Sequence, residues 1–256
     1  VIALLPLAAL TLTSLTPAIG VPFSIQVASL DQYVRAWSNP AVSRAFLNSF
    51  TLSGLAAVIC VGVALPLAYL LTRRPSPAAT LLDLSAEVRW VVPGTVVALA
   101  MILAFLPPLP LVGISLYGTS AIILISYLAR FLPLALRPVV AAAQNGDPGL
   151  DEAARIAGIG LGGRIARIFM PSVTPAATAG AVLILMTAMN ELTLSSLLWS
   201  SGHETVGVMV FSLQYEGNST AAAAVSVLST LLLFTLCMFA ELIIGRTGSS
   251  TLPWRG

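Results

Sequence analysis

The chain has 256 residues, of which 57% are apolar and only 9% are charged, and its mean hydropathy is +0.96. Because a soluble domain has about a quarter of its residues charged, this composition excludes a water-soluble fold and indicates a surface that faces lipid. The formal charge of +2 comes from 12 basic residues that are all arginine, and it excludes the polybasic surface of a nucleic-acid-binding protein.

Six apolar stretches predict membrane-spanning helices. A bilayer core about 30 Å thick needs about 20 apolar residues in helical conformation. None of the stretches shows the strict alternation of a barrel strand, so the predicted fold class is all-α integral membrane. The stretches cover residues 1–15, 46–71, 90–106, 119–136, 171–190 and 221–244. The first is short, and we interpret it as the remainder of a spanning helix because no small-residue cleavage site follows it, as a signal peptide would require.

The arginines between these stretches predict the orientation of the chain. One side of the membrane receives Arg73, Arg74, Arg89, Arg137, Arg155, Arg164, Arg167, Arg246 and Arg255. The other side receives Arg35 and Arg44, while Arg130 lies within the fourth stretch. The positive-inside rule places the arginine-rich side in the cytoplasm. Both termini are therefore expected in the cytoplasm, as is the long segment 137–170.

Segment 137–170 is predicted to contain one short helix. Asp147 followed by Pro148 is typical of an N-cap with proline in the first helical position. Gly158 can adopt the left-handed conformation that ends a helix, so we expect the helix over residues 148–157. Its small or apolar residues are Leu150, Ala153, Ala154 and Ala157, and its charged residues are Asp151, Glu152 and Arg155. This mixture indicates a helix outside the bilayer that another protein can approach.

The same segment resembles the EAA loop of permease subunits in binding-protein-dependent ABC importers. The family pattern is E-A-A, three residues, Gly, nine residues and then I-x-L-P. The residues that match it are Glu152, Ala153, Ala154, Gly158, Ile168 and Pro171. Met170 stands at the position of the pattern's leucine, a change that keeps side-chain volume and polarity.

The resemblance implies a type I importer permease with a single transmembrane domain over residues 1–256 and a coupling loop over residues 137–170. It implies that the short helix binds in a cleft of a cytoplasmic ATPase subunit. The ATPase would hold ATP and magnesium, because this chain has no lysine for a phosphate-binding loop. This chain is thus expected to bind no cofactor or metal of its own and not to be an enzyme.

The resemblance also implies further partners and a location. The expected partners are a periplasmic or extracellular substrate-binding protein, membrane lipid, and either a second permease half or a second copy of this chain. The expected location is the inner membrane, crossed several times. Ferric-iron permeases are commonly two fused six-helix halves, so this chain is also expected to fit one half of a longer fused permease.

Asn190, Glu191 and Thr193 lie at the end of the fifth stretch and are candidates for the translocation pathway. Twenty helical residues from Pro171 cover about 30 Å, which places these side chains near the outer surface. A helix end in contact with water is one interpretation. The resemblance implies a second, in which the three residues form the extracellular gate of the pore.

The residues around this gate most resemble those of ferric-iron permeases. The similar stretches are residues 190–193, 197–198, 202–205 and 215–217. Permeases for thiamine, phosphonates, polyamines or oxyanions are similar, and these substrates stay open. A secondary, ion-coupled transporter is the alternative class, but we find no internal repeat with paired broken helices, as such transporters have. His203 is the only histidine, so a pair of histidine metal ligands is excluded, and we expect His203 in a solvated loop.

Overall fold

A computed structural model of the chain describes residues 4–18, 20–21, 23–73, 77, 81, 92–110 and 113–245. Within these ranges every regular element is helical, as the apolar stretches predict. The helices are α1 (Leu4–Ser14), α2 (Asp31–Ser38), α3 (Pro40–Arg73), α4 (Gly94–Phe105), α5 (Ser120–Asn145), α6 (Pro148–Ile156), α7 (Leu161–Arg164), α8 (Met170–Met189), α9 (Ser195–Leu198), α10 (Val206–Tyr215) and α11 (Ser219–Gly245). A π-helical turn (Ile165–Phe169) joins α7 to α8.

Four helical stretches among the described residues are long and apolar enough to cross a membrane, judged by length and composition. They are Pro40–Arg73, Ser120–Asn145, Leu161–Met189 and Ser219–Ala240. Each contains most of one predicted span, so the predictions over residues 46–71, 119–136, 171–190 and 221–244 are confirmed as long apolar helices. The third stretch combines α7, the π-helical turn and α8.

The other two predicted spans contain shorter helices. Helix α1 has 11 residues and α4 has 12, and 12 helical residues rise only about 18 Å, less than the thickness of a bilayer core. Helix α4 ends just before the prolines that follow residue 106, because proline cannot donate the backbone hydrogen bond that would continue a helix. Residues 1–3 and 90–91 of these predicted spans lie outside the described residues.

The chain divides into two compact units, which are described separately. The first unit comprises Val1–Leu52, Ala98–Ile123 and Met189–Met238, and the second comprises Ser53–Val97, Leu124–Ala188 and Phe239–Gly256. The core of the first unit consists of the buried residues Ala36, Val42, Met189, Val206, Leu213, Ala221, Ala222 and Val225. Most of these come from α10 and the start of α11, so the core of this unit is built largely on the segment that follows α8.

The second unit contains the charged segment 137–170 together with the parts of α3, α5 and α8 that flank it. Its buried residues on α5 and α8 include the small Ala135 and Ala177 beside larger ones such as Leu136 and Ile184, and small side chains let two helix backbones approach closely. Four arginines used to predict orientation, Arg74, Arg89, Arg246 and Arg255, lie outside the described residues.

Candidate functional site

Helix α6 has the boundaries that the sequence predicts to within one residue. Asp147 caps its N-terminus, since Oδ1 of Asp147 accepts a 2.8 Å hydrogen bond from the backbone N–H of Gly149. Gly158 lies just beyond its C-terminus with φ of +78°, in the left-handed region. The backbone N–H of Ile159 then returns to the carbonyl oxygen of Ala154 at 3.0 Å. Both ends of this short helix are thus closed by hydrogen bonds of its own segment.

Helix α6 has one face packed against the rest of the second unit and one face exposed. Asp151 and Ala154 lie three residues apart and share the packed face, with Ala154 buried and Asp151 half-buried. Glu152 and Ala153 are exposed, and Ile156 is 87% exposed. Of the small or apolar residues predicted on this helix, only Ala154 is buried. The exposed face therefore presents a carboxylate, a methyl group and a large apolar side chain.

The packed face is held by three polar side chains, which we call the Asp151 cluster: Asp151, Arg164 and Tyr69. Nη1 of Arg164 donates to Oδ2 of Asp151 at 3.0 Å, forming an ion pair. The hydroxyl of Tyr69 donates to the same carboxylate, at 3.2 Å from Oδ1 and 3.3 Å from Oδ2. Arg164 is only 4% exposed, so solvent screens this ion pair much less than an exposed one. One carboxylate on α6 therefore joins the last turns of α3 to the end of α7.

The last turns of α3 also hold the end of α5. Nη2 of Arg73 donates to the carbonyl oxygens of Ala143 and Gly146, each at 3.2 Å. Four residues earlier, the ring of Tyr69 meets that of Phe169 edge-on, with ring centres 5.1 Å apart. A cavity of about 90 Å³ remains between these groups, lined by Tyr69, Arg73, Gly146, Asp147, Leu150, Asp151, Ile168, Phe169 and Ser172. Side chains of α3 thus fix the segment on both sides of the α5–α6 connection.

The remaining residues of the predicted motif lie at and just after the π-helical turn. Ile168 is half-buried and lines the small cavity, whereas Pro171 is exposed in the first turn of α8. Proline lacks an N–H, and its ring would clash with the carbonyl oxygen four residues earlier, that of Arg167. A widened turn, in which the N–H of Met170 bonds to the carbonyl oxygen of Ile165, occurs at that point. The proline therefore gives a physical reason for the irregular start of α8.

The sequence prediction placed Asp151 among the charged residues of a helix outside the bilayer and Arg164 among the cytoplasmic arginines, and it did not pair them. The available signal was the three-residue spacing of Asp151 and Ala154, which puts a carboxylate on the face of α6 that a buried alanine occupies. The sequence offers no comparable signal for Tyr69, which stands 82 residues before Asp151.

In the first unit, Glu191 is buried and caps a helical turn. Its carboxylate accepts hydrogen bonds from the backbone N–H groups of Leu194, at 2.9 Å, and Ser195, at 3.1 Å. Helix α9 begins at Ser195, so the carboxylate lies at the N-terminus of that turn, where unpaired N–H groups favour negative charge. Glu191 is 7% exposed, which does not fit a helix end open to water.

Asn190 lines a cavity of the first unit, while its two predicted companions do not line it. Oδ1 of Asn190 accepts a 2.6 Å hydrogen bond from the hydroxyl of Ser229 on α11. The cavity has a volume of about 610 Å³ and is lined by Leu10, Thr13, Asn190, Leu192, Val206, Gly207, Val210, Phe211, Gln214, Ser219, Ala222, Ala223, Ser226, Ser229 and Thr230. Thr193 is exposed elsewhere on the surface. The cavity thus combines apolar walls with hydroxyl and amide groups.

The loop before α10 is fixed to the start of α3 by polar contacts. Nδ2 of Asn48 donates to the carbonyl oxygens of Gly202, at 3.2 Å, and Glu204, at 2.9 Å, while the N–H of Val206 donates to the hydroxyl of Ser49 at 2.9 Å. These contacts hold the loop in place on α3. Sequence reasoning did not assign a role to Asn48 in the site.

The pKa of Glu204, in the same loop, departs from its ordinary value. Burial acts to raise the pKa of Glu204, but hydrogen bonds from backbone N–H groups and the charges of Arg44 and His203 outweigh it and lower the pKa. Nε of Arg44 lies 3.8 Å from Oε2 of Glu204. His203 itself is half-buried, and its Nδ1 lies 2.6 Å from the hydroxyl of Ser120. The predicted solvated histidine is therefore partly enclosed and hydrogen-bonded.

Comparison with protein families gives one match that covers most of the chain. The family described as "Binding-protein-dependent transport system inner membrane component" matches residues 61–248. These residues include segment 137–170 and helices α8 to α10, so the match covers both regions described above.

Several curated proteins are similar in sequence. The chain is 29% identical to "Probable ABC transporter permease protein y4fN" of Sinorhizobium fredii, over 97% of this chain and 45% of that protein. It is 30% identical to the Fe(3+)-transport system permease protein FbpB 2 of Haemophilus influenzae, over 75% of this chain and 37% of that protein. It is 25% identical to the spermidine/putrescine transport system permease protein PotB of the same species, over 77% of this chain and 74% of that protein. The chain thus spans less than half the length of the first two relatives.

Solved structures share the fold. A chain of a bacterial ABC transporter involved in the import of the acidic polysaccharide alginate superposes with a TM-score of 0.77 at 18% identity, over 95% of this chain and 89% of that chain. A chain of the MetNI methionine ABC transporter, in an inward-facing conformation, superposes with a TM-score of 0.64 at 20% identity, over 80% of this chain and 94% of that chain.

Proposed function

Because this chain belongs to the family of binding-protein-dependent transport system inner membrane components, and has the fold of type I ABC importer permeases, we propose that it forms the translocation pathway of an ATP-driven importer. We propose that segment 137–170 faces the cytoplasm and that α6 binds an ATPase subunit. The observation that carries this proposal is the division of α6 into a face fixed by the Asp151 cluster and a face that is exposed.

The exposed face of α6 suits a partner that pushes on it. Ala153 and Gly158 have little or no side chain, so a cleft of the partner can approach the backbone closely. Glu152 offers a charge at the rim, and the exposed Ile156 offers apolar area that a cleft would remove from water. A short helix capped at both ends can transmit a rigid-body displacement without unwinding.

The family and the arginine distribution support our proposals for the remaining partners and the location. We propose that the chain lies in the inner membrane with both termini in the cytoplasm. The ATPase would bind ATP and magnesium, a binding protein outside the cytoplasm would deliver the substrate, and a second permease half or a second copy would complete the pore. This arrangement needs no cofactor in the chain itself.

For the pathway, we propose that Asn190 and the cavity of about 610 Å³ contact the substrate in transit. In this proposal Glu191 does not line the cavity but holds α9 in place, and Thr193 lies at the outer edge of the pathway. Asn190→Leu is expected to lower the maximal uptake rate while leaving ATPase binding unchanged, because Asn190 is not part of α6, the helix proposed to bind the ATPase. An unchanged uptake rate in Asn190→Leu would remove this residue from the pathway.

For the substrate, ferric iron is the proposal that the resemblance at residues 190–193 and one relative named for Fe(3+) transport support. Other relatives are named for spermidine/putrescine transport and for 2-aminoethylphosphonate transport, so polyamines and phosphonates compete with iron, and thiamine and oxyanions stay open. Uptake of labelled ferric iron and labelled spermidine by cells expressing the whole transporter would distinguish them. Uptake of spermidine without uptake of iron would overturn the iron proposal alone.

The proposed function is tested with the chain, its ATPase and its binding protein reconstituted in liposomes. Uptake is expected with ATP and not with a non-hydrolysable analogue. Gly158→Pro is expected to abolish ATP-driven uptake, because proline cannot adopt the positive φ that ends α6. Accumulation driven by an ion gradient in the absence of the ATPase would instead support the secondary transporter.

A further inference from the structure

The Asp151 cluster connects three helical elements: α6, the last turns of α3 and the end of α7. We propose that Asp151, Arg164 and Tyr69 are positioning residues that make α6 move as one body with α3 and with the helix that continues from α7 into α8. This inference rests on the proposed function, because it concerns how displacement of α6 by an ATPase reaches the rest of the permease.

Few of the described groups of α6 attach it to the rest of the second unit. Most of the described helix surface is exposed; Ala154 is buried, Asp151 is half-buried, and the largely exposed Leu150 lines the small cavity. A methyl group can slide along its neighbours with little change in energy. The carboxylate cannot, because its hydrogen bonds and its ion pair depend on distance and direction. The position of α6 is therefore set mainly by Asp151.

The two donors to Asp151 come from different helices. Tyr69 lies in the last turns of α3 and Arg164 lies at the end of α7, which the π-helical turn connects to α8. Both donors are nearly inaccessible to solvent, with Tyr69 1% and Arg164 4% exposed. A displacement of α6 therefore acts on both helices through one carboxylate, whose two donors are buried rather than free in solvent.

Contacts with neighbouring residues hold Tyr69 and the end of α3 in place. The ring of Tyr69 is held edge-on by Phe169, at 5.1 Å between ring centres. One helical turn later on α3, Arg73 donates to the carbonyl oxygens of Ala143 and Gly146 at 3.2 Å. The chain entering α6 and the chain leaving it are thus attached to the same end of α3, and the cluster completes a closed set of contacts around the cavity of about 90 Å³.

The proposal predicts a loss of coupling rather than a loss of binding. The exposed face of α6 does not include the cluster, so an ATPase can still bind when the cluster is broken. What changes is the amount of substrate moved for each ATP hydrolysed, because part of the displacement is taken up by movement of α6 relative to α3. A residue that served stability alone would lower uptake and ATP hydrolysis together.

The experiment measures uptake and ATP hydrolysis in parallel in liposomes that contain the whole transporter. Arg164→Met keeps most of the side-chain volume and removes the ion pair, and it is expected to lower the uptake-to-hydrolysis ratio about ten-fold. Tyr69→Phe removes one hydroxyl group and is expected to lower the ratio about three-fold. The control Arg167→Met makes the same change at an exposed arginine three residues further along and is expected to keep the wild-type ratio.

The exchange variant Asp151→Arg with Arg164→Asp restores an ion pair with reversed direction and is expected to recover part of the ratio lost in Arg164→Met. If Arg164→Met does not assemble into a whole transporter, the uptake-to-hydrolysis ratios of Tyr69→Phe and of the exchange variant test the inference. A wild-type ratio in assembled Tyr69→Phe, or an equal fall of uptake and hydrolysis in all variants, overturns the inference. Failure of the wild-type transporter to show ATP-driven uptake overturns the proposed function instead.

Discussion

Gly180 on α8 lies so close to Ala135 on α5 that a Cβ atom added to the glycine would be 2.9 Å from the Cα atom of the alanine and 3.0 Å from the carbonyl oxygen of Leu134. Both atoms belong to the backbone, so no side chain can move aside to make room. The two helices flank segment 137–170 in the chain, and their close approach depends on the missing side chain.

Gly180→Ala is therefore expected to destabilise the protein by about 1 to 3 kcal/mol, the usual effect of overpacking. Gly54→Ala is the matched control, because Gly54 is also helical and an added Cβ would have no atom within 4 Å. The control is expected to leave stability unchanged or to raise it by up to about 1 kcal/mol, since alanine favours helix. Thermal unfolding in detergent, followed by tryptophan fluorescence, gives both values. Equal unfolding midpoints for the two variants would contradict this packing.

Gly158→Ala tests the end of α6. With φ of +78°, an alanine there would be strained, at a cost of about 1 kcal/mol. Gly160→Ala changes a glycine two residues away whose φ is −63° and whose added Cβ would be free of contacts. We expect a lower unfolding midpoint for Gly158→Ala and a change below about 0.5 kcal/mol for Gly160→Ala. A larger effect at Gly160 would show that the left-handed residue is not what ends the helix.

Stability is expected to fall in acid because of Glu204. Its pKa is lowered in the folded protein, so the folded state favours the charged carboxylate. This contribution is fully present above the ordinary pKa of a glutamate and is lost as the pH falls through the lowered folded value. The difference in unfolding midpoint between wild type and Glu204→Gln should therefore shrink as the pH falls through that window. A difference that is constant with pH would show that the carboxylate's charge is not favoured by folding.

Glu191→Ala tests the cap of α9. The substitution leaves the N–H groups of Leu194 and Ser195 without their acceptor in a buried position, and we expect a loss of about 1 to 3 kcal/mol. The control Glu216→Ala removes an exposed carboxylate and is expected to change stability by less than about 0.5 kcal/mol. Similar unfolding midpoints for wild type and Glu191→Ala would contradict a capping role and would support the other interpretation, a helix end in contact with water.

The elements that sequence reasoning predicted well are those whose causes are local. The bounds of α6 follow from Asp147, Pro148 and Gly158, which act on their immediate neighbours. The long spans follow from runs of apolar residues. The short α4 differs from its prediction over residues 90–106, because hydropathy measures composition and does not fix where the hydrogen bonds of a helix begin.

The sequence by itself determined the all-helical membrane class, the long apolar helices and the capped helix in segment 137–170, because hydropathy, capping and backbone preference depend on residues a few positions apart. Only the tertiary structure decided that Asp151 accepts hydrogen bonds from Tyr69 and Arg164, and that the buried carboxylate of Glu191 caps α9. Partner choice of this kind depends on which helices pack together, and a charged residue has the same local preferences whether its partner is water or a buried side chain.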